Sequence, residues 1–330
     1  MPDILEMVIP QPVSRFPHPA DADAPRVIVI CGPTAAGKTA AGIELSRAIG
    51  GEIVSADSMQ VYRYMDIGTA KPSPAEQAEV RHHLIDIVDP DESFDAAAYA
   101  ALGRHAVTEI TRRGKTPVVV GGTGLYIKAL LSGLFRSDAR DPVIRDRLRA
   151  ELQARGSAAM HARLARCDPQ TAARLHPNDA VRILRAIEVF EATGRPISAL
   201  QQEHRFTDTP FRALCIGLFI EREALYRRID RRVEAMVAAG LEEEVRTLLA
   251  KGYGPELKSM QSIGYCHMAA LIAGAVEREE CLRTLKRDTR RFAKRQMTWF
   301  RAYPDIRWAA PEHPQDIIRL VEDFLREVAV

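Results

Sequence analysis

A glycine-containing loop near the start of this sequence has the residue types and spacing needed to bind phosphate. It fits the pattern G-x-x-x-x-G-K-[S/T] and consists of Gly32, Pro33, Thr34, Ala35, Ala36, Gly37, Lys38 and Thr39. Glycines in such a loop let backbone N–H groups close around phosphate oxygens, and the start of the following helix adds a positive dipole. Lys38 is expected to reach the outer phosphate, and the Thr39 hydroxyl is expected to bind Mg²⁺. The loop therefore predicts a site for a diphosphate-like group.

One acidic residue, Asp57, is placed where it could serve that site. P-loop kinases and ATPases commonly carry an acidic Mg²⁺ anchor after a second buried strand. After Val118–Val120, however, the chain continues as GGTGL, with no acid. Asp57 follows another apolar run, in the sequence SADS, and three interpretations stay open. It could hold the metal through water, act as a base at the mouth of the phosphate site, or merely cap the next turn.

The pattern of apolar residues around these motifs predicts the elements that position them. Short β-branched runs followed by turn residues predict strands at Arg26–Cys31, Glu52–Ala56 and Thr116–Val120. Helical patterns lie between them at Thr39–Ile49 and Asp95–Arg113. Such alternation predicts an α/β fold, a P-loop NTPase-like parallel sheet flanked by helices.

The middle of the chain has a different pattern, in which helical segments follow one another without strand signals. These segments are Pro142–Arg155, Ser157–Ala165 and Asp179–Thr193. A strand pattern resumes at Arg212–Ile220, so the sheet domain is predicted to be discontinuous. The predicted organisation is a tail at 1–25, a core domain with a C-terminal basic helix at 26–138 and 206–330, and an all-helical insertion at 139–205.

Composition and cysteine usage exclude several classes of protein. Hydrophobic residues make up 46% and charged residues 27% of the 330, values typical of a globular chain rather than a disordered or collagen-like one. No run approaches 18 apolar residues, and the N-terminal segment lacks the apolar core of a secretory signal, so no membrane association is expected. The five cysteines show no C-x-x-C spacing, which favours a reduced cytoplasmic compartment and no structural zinc.

Basic residues are concentrated near the C-terminus. Between residues 281 and 307 there are nine Lys or Arg and two Asp, although the whole chain has a net charge of only +2. At 100° per residue the basic side chains form one stripe, consisting of Arg283, Arg287, Arg290, Lys294 and Arg301. The opposite stripe is apolar and consists of Leu282, Leu285, Phe292, Trp299 and Phe300. The segment therefore predicts an amphipathic helix whose basic face either binds a polyanion or is simply solvated.

Taken in order, several motifs resemble those of the tRNA dimethylallyltransferases, also called isopentenylpyrophosphate tRNA transferases. They are GPTAAGKT (32–39), SADSMQVYRYMDIGTAKP (55–72), HHLID (82–86), GGTGLY (121–126), HPNDAVRILRAIEVF (176–190), SIGY (262–265) and KRQMTWFR (294–301). No C-x₂-C…H pattern follows the basic helix, whereas longer eukaryotic relatives carry a zinc finger there. The resemblance is therefore to the bacterial type.

The resemblance implies a transferase. In this family the dimethylallyl group of dimethylallyl diphosphate moves to N6 of the adenosine at tRNA position 37, beside the anticodon, giving N6-(dimethylallyl)adenosine and diphosphate. The partners implied are Mg²⁺ and the anticodon stem-loop of tRNA, and the implied enzyme is a cytoplasmic monomer. Because the target base lies in a stacked loop, it must be extruded to reach the site.

Roles for individual residues follow from the same resemblance. Asp57 is implied to be the general base that accepts the N6 proton, and Thr123 to contact the region of the extruded adenosine. Arg228 is implied to brace the pyrophosphate, unless the alignment is shifted by one residue to Arg227. Lys38 and Thr39 are implied to hold the diphosphate and its metal.

A larger set is implied to contact tRNA, with the basic helix supplying phosphate contacts that position the RNA without specifying its sequence. The set is Asp57, Ser58, Met59, Gln60, Thr123, Arg145, Val181, Arg182, Ile183, Leu184, Arg185, Gln261, Ser262, Ile263, Gly264, Tyr265, Cys266, Arg287, Arg290 and Lys294.

Three other functions remain as alternatives. An adenylate isopentenyltransferase acting on free nucleotide would share the phosphate loop, Asp57 and Thr123, but has no need of a basic helix or a helical insertion. A small-molecule P-loop kinase would phosphorylate its substrate with ATP and would not turn over dimethylallyl diphosphate. An RNA-binding GTPase-like switch would carry a guanine-reading N-K-x-D motif, which this sequence lacks.

Overall fold

The computed structural model describes residues 24–133, 141–204 and 210–327. The expected domain boundaries at 138/139 and 205/206, and nearly all of the expected tail, lie outside these ranges. Within them, two compact units form. One comprises Gly133 and residues 141–204, and the other comprises residues 24–132 and 210–327.

The larger unit is built on a six-stranded, fully parallel sheet with the strand order β3-β2-β4-β1-β5-β6. The strands are β1 (Arg26–Cys31), β2 (Gly51–Ser55), β3 (His82–His83), β4 (Thr116–Gly121), β5 (Arg212–Leu218) and β6 (Arg307–Ala309). The predicted parallel sheet flanked by helices is confirmed. The two short edge strands, β3 and β6, were not predicted, because two or three residues carry no periodic signal.

Helices cover this sheet and complete the larger unit. They are α1 (Lys38–Ile49), α2 (Pro74–Glu79), α3 (Ala96–Arg112), α4 (Gly124–Ser132), α9 (Arg222–Ala238), α10 (Leu241–Ala250), α11 (Tyr265–Ile272), α12 (Arg278–Arg301) and α13 (Pro314–Arg326). None of the helices in the described ranges is long and apolar enough to cross a bilayer.

Burial of β1 fixes the position of the phosphate loop. Val27, Ile28, Val29 and Ile30 have no solvent exposure, because β1 pairs with β4 on one side and β5 on the other and is covered on both faces. The chain then turns directly from the end of β1 into α1, so the loop lies at the carboxyl edge of the sheet centre. In open parallel sheets this edge is where ligands bind.

The smaller unit is all-helical, as its sequence predicts. Its helices are α5 (Pro142–Cys167), α6 (Pro169–Ala172), α7 (Ala180–Thr193) and α8 (Ile197–His204). The two helices predicted at 142–155 and 157–165 form the two parts of α5, which are separated by a kink at Gly156, where the backbone is not helical (φ 78°, ψ 165°). Leu148, Met160, Leu164 and Ile187 pack into a core of its own.

A fully buried carboxylate, Asp168, ties this unit together. It accepts hydrogen bonds from the backbone N–H and hydroxyl of Thr171 (2.9 and 2.8 Å) and from those of Ser198 (3.0 and 2.7 Å). Burial alone would raise the pKa of Asp168, but the hydrogen bonds from Ser198 and Thr171 outweigh it and lower the pKa below the ordinary 3.8. The ionised form therefore joins the start of α6 to the start of α8.

We predict that Asp168→Asn destabilises the smaller unit by about 3 kcal/mol near neutral pH, because a neutral amide can accept with only one of its two polar atoms. Hydrogen exchange of the α6 and α8 amides measures the loss. Since the pKa of Asp168 is lowered, the difference from the parent protein should shrink as the pH falls through that pKa, below about 4. Asp141→Asn, at the half-buried N-cap of α5, is the control, since Asp and Asn cap about equally well. Equal exchange in Asp168→Asn and the parent would contradict the role.

Candidate functional site

The phosphate loop has the backbone conformation that anion binding requires. Gly32 (φ 141°) and Gly37 (φ 89°) both lie at positive φ, and a Cβ on Gly32 would stand 2.9 Å from the Leu218 carbonyl oxygen. No side chain caps the N-terminus of α1, so its first amides are available to a ligand. Lys38 Nζ donates to the Pro33 carbonyl at 2.7 Å and so lies across the loop.

Positive charge is concentrated beside this loop. Burial, followed by the nearby Arg232 guanidinium, lowers the pKa of Lys38 to about 8, although Asp57 acts in the opposite direction. Burial also lowers the pKa of Arg232, and Asp57 again opposes the shift. Two cations held this close with a single carboxylate make a site that favours a multivalent anion.

Asp57 follows directly after β2 and points one carboxylate oxygen into its own turn. Oδ1 accepts from the backbone N–H of Met59 at 2.8 Å and of Gln60 at 3.4 Å. Asp57 therefore does cap the turn that follows it, but only through Oδ1. Oδ2 takes no part in the cap.

A single cavity brings the phosphate loop and Asp57 together. Its volume of about 40 Å³ has room for one or a few water molecules. It is lined by Lys38, Thr39, Ile53, Ser55, Asp57, Gln60, Pro72, His82, Val120 and Gly121. A diphosphate held by the loop would thus lie beside the candidate base.

Thr123 belongs to the same assembly through the turn that follows β4. Its Oγ1 accepts from the backbone N–H of Ser58 at 3.0 Å, which joins the two turns. A Cβ on Gly121 would stand 2.1 Å from the Ala56 carbonyl oxygen, so only glycine lets β4 end this close to β2. The structure therefore places Thr123 next to the Asp57 turn.

Gln296 is a buried residue of this region that the sequence reasoning missed. Its Oε1 accepts from the Thr34 backbone N–H at 2.8 Å, and its Nε2 donates to the Gly122 carbonyl at 2.9 Å. A Cβ on Gly122 would stand 2.3 Å from Gln296 Nε2. The signal was present in the motif KRQMTWFR, where an uncharged polar residue stands three positions before a tryptophan and hence on the same helix face.

On α9, the arginine beside the phosphate loop is Arg232. Arg228 instead makes an ion pair with Glu312 at 2.7 Å, and the side chain of Arg227 is 68% exposed. Arg232 lies one helical turn after Arg228 and on the same face. Its neighbours Lys38 and Asp57 identify it as the candidate brace for a phosphate.

The basic face of α12 differs from the predicted stripe. Arg290 binds both carboxylate oxygens of Asp230 at 2.7 Å, so much of its hydrogen-bonding capacity is already used. Arg287 bonds the neighbouring Asp288 (2.9 and 3.1 Å), whereas Lys294 is exposed. On the predicted apolar side, Phe292 is only half-buried. Gln296, which was not part of the predicted stripe, is buried together with Trp299 and Phe300.

The segment 261–266 is joined to the turn that contains DIGTAK. The Tyr265 hydroxyl donates to Glu244 Oε1 at 2.6 Å, and the same carboxylate accepts from the amides of Asp66, Ile67 and Gly68 (3.0, 2.7 and 3.1 Å). Tyr265 itself has no exposure, so it can position a contact surface but cannot be one.

The remaining candidate contacts, Arg145 and residues 181–185, lie in the smaller unit. Arg145 and Arg185 both pair with Glu188, and Arg182 pairs with Asp179. Val181 is 40% exposed, whereas Ile183 is fully buried in the core of the unit. Ile183 therefore supports this helix face from within.

Comparison with known proteins gives a consistent result. The family model described as IPP transferase matches residues 60–303. A tRNA dimethylallyltransferase of Desulfosudis oleivorans is 56% identical over 92% of this chain and 96% of the relative. That of Geobacter sulfurreducens is 53% identical over 88% of this chain and 92% of the relative.

Solved structures agree with these relatives. The tRNA isopentenylpyrophosphate transferase of Bacillus halodurans has a TM-score of 0.69 at 40% identity, covering 92% of this chain and 98% of its own. A eukaryotic dimethylallyltransferase described as acting on tRNA has a TM-score of 0.78 at 30% identity, and the match covers 92% of this chain and 80% of the eukaryotic one.

We predict that Arg232→Gln weakens binding of inorganic pyrophosphate roughly 10- to 100-fold, because a charge-assisted hydrogen bond contributes about 1.5–3 kcal/mol. Isothermal titration calorimetry measures the affinity. Arg228→Gln is the matched control on the same helix face and should change it less than about twofold, the range expected for a solvent-screened pair. If pyrophosphate affinity falls more in Arg228→Gln than in Arg232→Gln, the residue that braces the phosphate is Arg228.

Proposed function

The chain belongs to the IPP transferase family, whose relatives described above are tRNA dimethylallyltransferases, and from this we propose how its residues perform the transfer. The enzyme moves the dimethylallyl group of dimethylallyl diphosphate to N6 of the adenosine at position 37 of tRNA. The observation that carries the proposal is the shared cavity of the phosphate loop and Asp57. It supports a leaving diphosphate and a base within one site, and the tRNA-modifying relatives favour tRNA over free nucleotide as the acceptor.

The diphosphate is the leaving group, so catalysis is mainly charge neutralisation. The C–O bond between the allylic carbon and the diphosphate breaks, and the electron pair stays on the departing oxygen. Lys38, Arg232 and the amides at the start of α1 stabilise that charge. No attack on phosphorus takes place, which agrees with the glycine-rich, acid-free sequence after β4.

Asp57 accepts the proton that the amine loses. As N6 of the adenine bonds to the allylic carbon, its proton moves to Asp57 Oδ2, while Oδ1 remains fixed by the Met59 amide. Thr123, held to the same turn through Ser58, lies where it can orient the adenine. The remaining rate enhancement comes from positioning the weakly nucleophilic amine beside the electrophilic allylic carbon.

The residues present fit a magnesium ion bound together with the diphosphate. The described ranges contain no cluster of three or more His, Cys, Asp or Glu side chains for a metal, but Thr39, whose hydroxyl can supply one oxygen ligand, lines the cavity. Mg²⁺ prefers oxygen ligands and commonly takes one or two from protein and the others from phosphates and water. When bound, the ion would add positive charge at the diphosphate oxygens.

The tRNA is proposed to lie along the basic α12, with the adenosine turned into the cavity. Lys294 and Arg301 are exposed on this helix and suit phosphate contacts, while Arg290 orders the helix against Asp230. We propose that the enzyme acts as a monomer and, since tRNA is its substrate, in the cytoplasm.

Asp57→Asn should lower the rate of transfer at least 100-fold, because it removes the general base while keeping an oxygen that can cap the turn. Purified protein is incubated with dimethylallyl diphosphate, Mg²⁺ and either unmodified tRNA or AMP, and nucleosides are analysed by mass spectrometry. The affinity for tRNA should not change, and Asp91→Asn, an exposed acid, should behave like the parent. Full activity of Asp57→Asn would remove Asp57 from the mechanism, and product on AMP alone would contradict the tRNA assignment.

Arg287→Ala combined with Lys294→Ala should weaken binding of all tRNA sequences alike. The slope of log K against log salt should fall by about 1.5, because each phosphate contact contributes roughly 0.7–0.9. Fluorescence anisotropy over a series of salt concentrations gives the affinity for tRNA and hence this slope. The control is Arg319→Ala with Arg326→Ala, two exposed cations of α13 at 75% and 72% exposure, which should leave the slope unchanged. Loss confined to one tRNA would mean that α12 reads bases.

A further inference from the structure

The cavity beside the phosphate loop contains one polar atom for which the reaction described so far has no use. His82 lines it together with Lys38, Thr39 and Asp57. The Nε2 atom of His82 is buried, and the described residues offer it no hydrogen-bond partner. A buried nitrogen without a partner costs free energy in proportion to its lost hydration, so its position here calls for a ligand.

The two histidines of β3 have different environments, because successive side chains of a strand point to opposite faces. His83 Nε2 lies 2.7 Å from Glu52 Oε2, and Arg113 donates to the same oxygen at 2.7 Å. Nε2 of His83 is therefore hydrogen-bonded to the carboxylate of the Glu52–Arg113 ion pair. His82, paired in register with Ile53 of β2, turns the other way and reaches the cavity.

The backbone determines which nitrogen of His82 can accept a hydrogen bond. Nδ1 lies 2.7 Å from the Val80 carbonyl oxygen, and a carbonyl only accepts, so Nδ1 carries the hydrogen. Burial lowers the pKa of His82, so the ring is neutral near pH 7, and Nε2 presents a lone pair to the cavity. The occupant facing Nε2 must therefore donate a hydrogen.

Two donor groups that line the cavity already have acceptors of their own. Lys38 Nζ donates to the Pro33 carbonyl, and the Ser55 hydroxyl donates to Gln60 Oε1 at 3.1 Å. Water is the donor that fits the remaining space, since the cavity of about 40 Å³ exceeds what one water molecule needs. Mg²⁺ keeps several waters when it binds with phosphates, and each of them donates outward.

We propose that His82 is a positioning residue for the metal-bound diphosphate, accepting at Nε2 a hydrogen bond from a water molecule of the Mg²⁺ hydration shell. This inference rests on the proposed diphosphate site at Thr39 and Lys38. It assigns to His82 the role that outer-shell hydrogen-bond partners have in other metal sites, where they orient the ligands of the ion. Direct coordination by Nε2 is disfavoured, because Mg²⁺ selects oxygen over imidazole nitrogen.

Two substitutions separate the acceptor from the rest of the ring. The amide N–H of His82→Asn can take over the bond of Nδ1 to the Val80 carbonyl, but the side chain ends before the position of Nε2. The longer side chain of His82→Gln can bring an amide oxygen to that position. His83→Gln is the matched control from the same dipeptide, on the opposite face of the sheet.

The test measures binding without turnover. Inorganic pyrophosphate is titrated into each folded variant by calorimetry over a series of Mg²⁺ concentrations, in the absence of tRNA, and circular dichroism confirms folding. His82→Asn should raise the Mg²⁺ concentration needed for half-maximal pyrophosphate affinity about 10-fold, the lower end of the effect of removing an outer-shell partner. His82→Gln and His83→Gln should stay within about twofold of the parent protein.

The outcomes distinguish this inference from the function on which it rests. Failure of the parent protein to bind pyrophosphate with Mg²⁺ would overturn the proposed diphosphate site. Normal pyrophosphate binding by the parent together with an unchanged Mg²⁺ requirement in His82→Asn would overturn only the role of His82. A requirement raised equally in His82→Gln and His82→Asn would also overturn it, since the acceptor atom would then not matter.

Discussion

A single buried amide, that of Gln296, holds together the two loops on which the site depends. Its Oε1 accepts a hydrogen bond from the Thr34 backbone N–H of the phosphate loop, and its Nε2 donates one to the Gly122 carbonyl of the turn after β4. Both partners are backbone groups, so the geometry of both loops is set from α12. Because an unpaired buried amide costs about 1–3 kcal/mol, neither loop can move away without a penalty. Glycine at position 122 is required by the same contact, since a Cβ would occupy the place of Nε2.

This arrangement links the surface proposed for tRNA to the site of chemistry. The side of α12 that carries Gln296 and Trp299 is packed against the two loops, while its exposed side carries Lys294 and Arg301. A helix in contact with both regions would let phosphate contacts on one side position the proposed adenosine site on the other. Around the cavity, burial lowers the pKa of both Lys38 and Arg232, and the nearby Arg232 lowers that of Lys38 further, so a bound anion would stabilise both cations.

The sequence predicted the parts of this structure that have a strong local signal. β1, β2, β4 and β5 are apolar runs buried on both faces, and the phosphate loop is defined by its own residues. β3 and β6 are too short for any periodic signal and form only because β2 and β5 offer them an edge. Arg232 and Arg228 share a helix face, so periodicity could not separate them; in the structure Arg228 pairs with Glu312, whereas Arg232 lies near Lys38 and Asp57. Likewise, the basic stripe of α12 is correct as a pattern of charges, but acids from other elements, such as Asp230, pair with part of it.

The helical insertion also has a consequence for the order in which the enzyme can fold. β1 needs β4 on one side and β5 on the other, and the whole smaller unit lies between these two neighbours in the sequence. During synthesis, β1 and β4 can pair before β5 has been made, which leaves the β5 side of β1 as an unpaired apolar edge. Because the smaller unit has its own core, it can fold before β5 is made. The flexible loop between β4 and β5 then contains fewer residues, which lowers the entropic cost of docking β5. The nascent protein therefore passes through a stage in which one edge of its most buried strand is unpaired and exposed to aggregation.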